Sequence, residues 1–484
     1  MSAANDHPAP DRDESATEAV PNRGRKRRFI LRWLLRFVFG LIVTGLAMYY
    51  FDTKRSEAEV AALVADLDEN DPGWRLEELE AARPEIPDSR NSARLSRDLA
   101  KLLEPSWPDA ALDERMKDAP LAELLGGERV ALLEAEMKRL DDVRRAARPM
   151  AVMPEGRHRI AWGGNLLETK LPDQSDARRV GKLFDYEMLY RANKGDIGGA
   201  MRAGRAALCT ARSLSDEPLM ISQLVRASIV NHALSGIERT LSLGTAAESD
   251  LTALDELLAG EEEHNGYLAG VRGERGAWYI MFSRLAAGEL PVDPSKGEAT
   301  WWDRANLFGR MHLKRNQPPM MRFMNRWVEI ARLQAHEQSV AEAVLLGEIE
   351  EHRKTAPLAV LLMPAANRLG RAWRWKRARV ASMRGLIAAE RYRMKRGEWP
   401  ARLADVVPEF LKAVPTDPFD GKPIRMARVP GGVVVYSVGA DGNDGGGNLD
   451  RENPAAPWAD LGFQAWDVDG RGRPASPVDP EGQP

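Results

Sequence analysis

The sequence predicts a mainly α protein: an N-terminal transmembrane helix, a large helical region after it, and a small α+β C-terminal domain with a short antiparallel sheet. Three observations carry this prediction. An uncharged apolar run ending at Phe51 follows a cluster of basic residues. Helical periods dominate from Ser56 to about Arg396. Beyond Arg396, 13 glycines and 12 prolines in 88 positions end the long helices.

The basic cluster is Arg23, Arg25, Lys26, Arg27 and Arg28, after 22 residues with no hydrophobic period. Residues 1–28 are therefore expected to be a disordered basic tail. Phe29 to Phe51 is the span. Its 23 residues reach roughly 35 Å as a helix, against a bilayer core of about 30 Å. Arg32 and Arg36 lie near one end, where long side chains reach the headgroups. Trp33 and Tyr49-Tyr50 suit the two interfaces. The positive flank precedes the span, so the positive-inside rule places the N-terminus in the cytoplasm and the bulk outside. This is a signal-anchor arrangement. Gly45-Leu-Ala47 keeps a cleaved signal peptide open as the rival reading.

Residues 52–371 are expected to form a helical extracytoplasmic region. Ser56-Glu-Ala-Glu59 has the form of a helix start, and Asp71-Pro-Gly73 of a stop. Further helices are expected over 92–103, 120–147, 177–213, 219–243, 247–287, 301–310, 320–355 and 372–395. A loop is expected over 148–176. The segment Tyr190 to Leu208 resembles a tetratricopeptide-type helical pair, without a 34-residue repeat around it.

The C-terminal domain, residues 372–484, carries ordered motifs. Tyr392 is followed by Lys395-Arg-Gly-Glu-Trp-Pro400, then Val414-Pro-Thr-Asp-Pro-Phe-Asp-Gly-Lys-Pro423. A β-prone run, Val433 to Ser437, leads into Val438-Gly-Ala-Asp-Gly-Asn-Asp-Gly-Gly-Gly447. In this order the motifs resemble the C-terminal domain of the major pseudopilin of type II secretion systems, over roughly residues 385–450. The resemblance implies a small sheet packed on the preceding helix, a calcium-binding loop, and a bacterial inner-membrane setting. The apolar N-terminal run has no glutamate and lies more than 300 residues from this tail, unlike a pseudopilin.

Asp441, Asn443, Asp444 and Asp450 are the candidate metal ligands. With Asn448 they put oxygen donors within ten residues on a glycine-rich loop, and calcium takes six to eight oxygens. The resemblance supports Asp441, Asp444 and Asp450. Asp467-Val-Asp-Gly470 is a weaker second candidate, and a solvated turn accounts for the same composition.

The chain has 69 Lys+Arg against 72 Asp+Glu, which argues against a nucleic-acid binder. The single cysteine, Cys209, excludes an intrachain disulfide and a multi-cysteine metal site. Glu261-Glu-Glu-His264, Glu348 with His352, and His336-Glu337 each lack the second half of a metal motif. No phosphate-binding loop, dinucleotide fingerprint or nucleophile elbow is present. The sequence thus favours a non-enzymatic, membrane-anchored interaction or structural protein of the cell envelope, with an unknown protein partner and a calcium-stabilised tail. The alternatives are an envelope enzyme with its active site in the helical region, and a subunit associated with a secretion system.

Overall fold

A computed structural model describes residues 23–116, 121–160, 169, 171–215, 217–290, 307–362, 364–451, 453, 456 and 458–475. The chain divides into two compact units, Met1–Arg55 and Ser56–Pro484. The expected disordered tail, residues 1–22, lies outside the described residues. So do 301–306 of one expected helix.

Helix α1 spans Arg23–Asn70 without a break. No Gly or Pro occurs between Ala47 and Asp71, so nothing interrupts the backbone at Ser56 where a new helix start was expected. The helix is long and apolar enough to cross a membrane. Its large apolar side chains from Phe29 to Phe51 are exposed.

The second unit is helical with one small sheet, as the sequence predicts. The helices are α2 (Leu76–Ala81), α3 (Ser92–Leu102), α4 (Ala110–Met116), α5 (Gly127–Arg139), α6 (Asp141–Ala147), α7 (Pro172–Asn193), α8 (Ile197–Arg212), α9 (Met220–Leu243), α10 (Glu248–Glu263), α11 (Gly266–Ala287), α12 (Leu307–Arg332), α13 (Ala335–Glu351), α14 (Pro357–Leu362) and α15 (Pro364–Arg396). A 3-10 turn, Arg148–Val152, follows α6.

Local chemistry explains the differences from expectation. Helix α7 starts at Pro172, because proline suits a first helical position, where its missing N–H costs nothing. The expected helix over 247–287 divides at Asn265, whose side chain accepts from the Leu268 N–H and starts α11. Helix α12 runs through Pro318-Pro319, which sequence rules would use as a break. Directly after them Met320, Met321, Met324 and Trp327 are buried, and that packing offsets the lost backbone hydrogen bonds.

Two large hydrophobic cores, and a small cluster of Leu67, Trp74 and Met321, lie among the described residues of this unit. Of the large two, one joins α3–α10 to the sheet, and the other joins α11–α14. Helix α15, 33 residues long, serves both. Leu369 and Trp373 enter the second core, and Val380 to Ala389 enter the first.

The sheet has the order β1-β2-β3, with β1 Arg425–Val429, β2 Gly432–Ser437 and β3 Leu461–Trp466, all antiparallel. Pro430-Gly431 makes the β1–β2 turn, with Gly431 at φ +76°, a conformation that only glycine adopts cheaply. Strand β2 is buried along its whole length. One face, Val433 and Val435 with Phe463 and Ala465, packs with Leu386 and Ile387 of α15 in one core. Gly385 permits the close approach, since a Cβ there would stand 2.9 Å from both Ile424 Cδ1 and Val435 Cγ1. The C-terminal region therefore shares its core with the helical body. Trp399, expected in this core, is buried there, and its Nε1 donates to Asp467 Oδ1 at 2.6 Å.

Candidate functional site

The glycine-rich acidic loop after β2 covers the outer face of the sheet. Gly447 lies against Val434 and Tyr436, with φ at +89°. The loop is organised around the buried carboxylate of Asp460. That group accepts from the backbone N–H of Gly445 (3.2 Å), Gly447 (2.8 Å) and Asn448 (3.0 Å). Successive N–H groups converging on one anion form a nest. The loop's inner side is thus built for negative charge. Burial nevertheless pushes the Asp460 carboxyl upward, against those three hydrogen bonds.

Of the four nominated ligands, Asp441 and Asn443 pair with each other, and Asp444 and Asp450 have partners elsewhere. Asp441 accepts from the Asn443 backbone and side chain at 3.0 and 3.2 Å. Asp444 accepts from Tyr436 Oη at 2.9 Å and Arg425 Nε at 3.0 Å. Asp450 accepts from the Asn453 N–H at 2.9 Å and Trp458 Nε1 at 3.1 Å. Among the described residues, no group of three or more His, Cys, Asp or Glu is arranged to hold a metal ion. The cation at this edge is Arg425, which reaches Asp420 at 2.6 Å, Asp444 at 3.0 Å and Asp417 at 3.4 Å. As they stand, these side chains form ion pairs and turns.

Two separated motifs of the tail meet here. Asp417, from the Pro-Thr-Asp-Pro turn, is buried and accepts from Ser437 Oγ at 2.8 Å and the Val438 N–H at 2.9 Å. Asp467, from the second candidate metal segment, is the acceptor for Trp399.

The helical body holds the other constellations. Glu261 is buried between Arg226, at 2.6 Å, and Lys376, at 3.2 Å. Burial would raise its pKa, but the two cations outweigh that and hold it low. Lys376 is pushed down to about 8 by the same burial. Glu342 accepts from Tyr267 Oη at 2.7 Å and pairs with Arg374 at 2.7 Å. His352 Nδ1 faces the backbone oxygen of Glu348 at 2.8 Å, so that pair is a local helix contact. Cys209 is buried, and desolvation raises its thiol to about 11, which makes it inert.

One arrangement escapes sequence reading. His158 Nε2 lies 3.2 Å from Ser213 Oγ, and His158 Nδ1 lies 3.4 Å from Asp173 Oδ1. This has the order of a nucleophile, base and orienting acid. It is sealed, however. His158 and Ser213 are buried, and Ser213 Oγ donates to the Thr210 carbonyl at 2.6 Å. Gly156 packs directly on the serine backbone, where a Cβ would stand 2.6 Å from Ser213 Cα. The cluster ties the 153–160 strap to α7 and α8. His158 lies in a stretch read as irregular, so no periodicity pointed to it.

Comparison with protein-family models, with curated proteins and with solved structures gives no match.

Proposed function

We propose that the chain is a single-pass protein of the bacterial inner membrane, with its N-terminus in the cytoplasm and residues after the span outside. Its body acts as a non-catalytic interaction or structural module of the cell envelope, with a pseudopilin-like tail built into it. The observation that carries this reading is α1. Its apolar side chains from Phe29 to Phe51 are exposed, and five basic residues precede them. Water does not leave such a run exposed, and a bilayer covers it. The buried charges support the non-catalytic part, because Glu261, Glu342 and the Ser213–His158–Asp173 cluster are all spent on packing.

The test is topology. Full-length protein carrying alkaline phosphatase after residue 475 should fractionate with inner membranes and be enzymatically active, as it is only outside the cytoplasm. A fusion that is inactive while a green fluorescent protein fusion at the same place glows would overturn the orientation. Recovery in the soluble fraction would overturn the anchor.

A further inference from the structure

A cavity of about 430 Å³ opens between α6 with its following turn, α7 and α8. Small residues make the space. Gly199, Ala203 and Ala206 follow one another at helical spacing on α8, and Ala147 and Ala151 face the same cavity from the α6 side. At Gly199 a side chain would have to displace its neighbours, since a Cβ would stand 2.1 Å from Asp196 Oδ2 and 2.7 Å from Arg191 Nη1. Leu183 and Phe184 of α7 supply an apolar lining.

Charge is uneven around this cavity. Four arginines line it, Arg144, Arg148, Arg191 and Arg202, against one carboxylate, Glu187. Arg144 and Arg191 are both committed to Glu187, and Arg191 also to Asp196. Arg144 additionally lies over the Tyr190 ring, 5.0 Å from its centroid. Arg148 and Arg202 are exposed, and among the described residues neither guanidinium has a hydrogen-bond or salt-bridge partner, although the charge of Arg202 acts on Asp196 through space. Two guanidinium groups without a direct partner therefore stand beside an apolar slot. Guanidinium matches phosphate oxygens in a fork geometry. Low-dielectric walls of one charge sign concentrate an anion of the other. The volume is that of a small-molecule site.

We propose that this cavity binds a small organic phosphate, its phosphoryl group held by Arg148 and Arg202 and its apolar body seated against Leu183, Phe184 and the alanine walls. The proposal stands apart from the membrane reading and holds on either side of a bilayer.

Isothermal titration of the full chain in detergent micelles, at fixed ionic strength, tests it with phenyl phosphate and inorganic phosphate as probes. Phenyl phosphate should bind saturably at one site, about tenfold more tightly than inorganic phosphate, because the ring buries apolar area that the bare ion lacks. Arg148→Glu with Arg202→Glu should weaken phenyl phosphate by more than tenfold. Both positions are exposed, so this variant keeps the fold, and an unchanged circular dichroism melt checks that. Ala203→Leu fills the slot and should erase the preference of phenyl phosphate over inorganic phosphate. No saturable heat with the wild-type chain, or equal affinity in the charge-reversed variant, would overturn the proposal.

Discussion

The guanidinium of Arg471 grips the carboxylate of Glu390 through two hydrogen bonds of 2.8 Å each, and both side chains are almost fully buried. The pair joins the segment after β3 to the last turns of α15. Arg393 adds two more hydrogen bonds to the same carboxylate at 2.8 Å. Burial alone would raise the Glu390 pKa. The two arginines outweigh it and hold the group ionised below the usual carboxylate range. Arg451 makes a second such link, reaching Glu238 of α9 at 2.6 and 3.0 Å.

Glu390→Ala should be strongly destabilising. It strands Arg471, and a buried charge that loses its partner costs about 3–5 kcal/mol. Arg471→Met should cost less, because Arg393 still satisfies Glu390. Urea denaturation of the full chain in detergent compares the two. Equal losses would mean that Arg393 does not share the carboxylate.

Asp460→Ala should release the glycine-rich loop without unfolding the sheet. Three backbone N–H groups would lose their acceptor together, each worth roughly 1 kcal/mol net. Amide exchange at Gly445, Gly447 and Asn448 should accelerate in the variant, while Val433 and Val435 on the core side of β2 stay protected. Uniform acceleration across β2 would show that the loop and strand open as one unit.

The elements most legible in the sequence were those whose signal is local. The long apolar N-terminal helix needed only apolar residues and no Gly or Pro to break it after Ala47. Strand β2 announced itself through Val433-Val-Val-Tyr436 between glycines. Trp399 was legible as core because a large aromatic in a small sheet domain has few other places to go. What stayed hidden depends on partners distant in sequence. Asp460 lies more than ten residues from the loop it anchors, so composition alone did not point to it as the acceptor for the Gly445, Gly447 and Asn448 N–H groups. Arg425 reads as an ordinary strand residue until Asp417, Asp420 and Asp444 are brought around it. His158 and Ser213 meet across 55 positions. The slot between α6, α7 and α8 is defined by small side chains on three segments, and no single helix carries that pattern.

Arg425 and a calcium ion would compete for the same oxygens. Arg425→Met leaves Asp417, Asp420 and Asp444 without their shared cation, and calcium favours such a set of carboxylates. Calcium should therefore raise the melting temperature of Arg425→Met more than that of the wild-type chain, with magnesium less effective because it demands stricter octahedral geometry. An equal calcium shift in both proteins would place any bound ion away from Arg425, with Asp441 and Asp450 as the next residues to substitute.

Glu274 of α11 gives the body a distinct pH response. It is buried, and desolvation raises its carboxyl from 4.5 to about 7, with only partial relief from the Met220 backbone and Trp278. The folded state therefore holds this proton more tightly than the unfolded chain. Its contribution is fully present below about pH 4.5 and is lost as pH rises through about 7. A difference of that size corresponds to about 3 kcal/mol. Glu274→Gln keeps the shape of the protonated acid and cannot ionise. The variant and the wild-type chain should melt together near pH 5, and the variant should melt higher at pH 8. Parallel melting curves across that range would mean that the carboxyl reaches water in the folded protein.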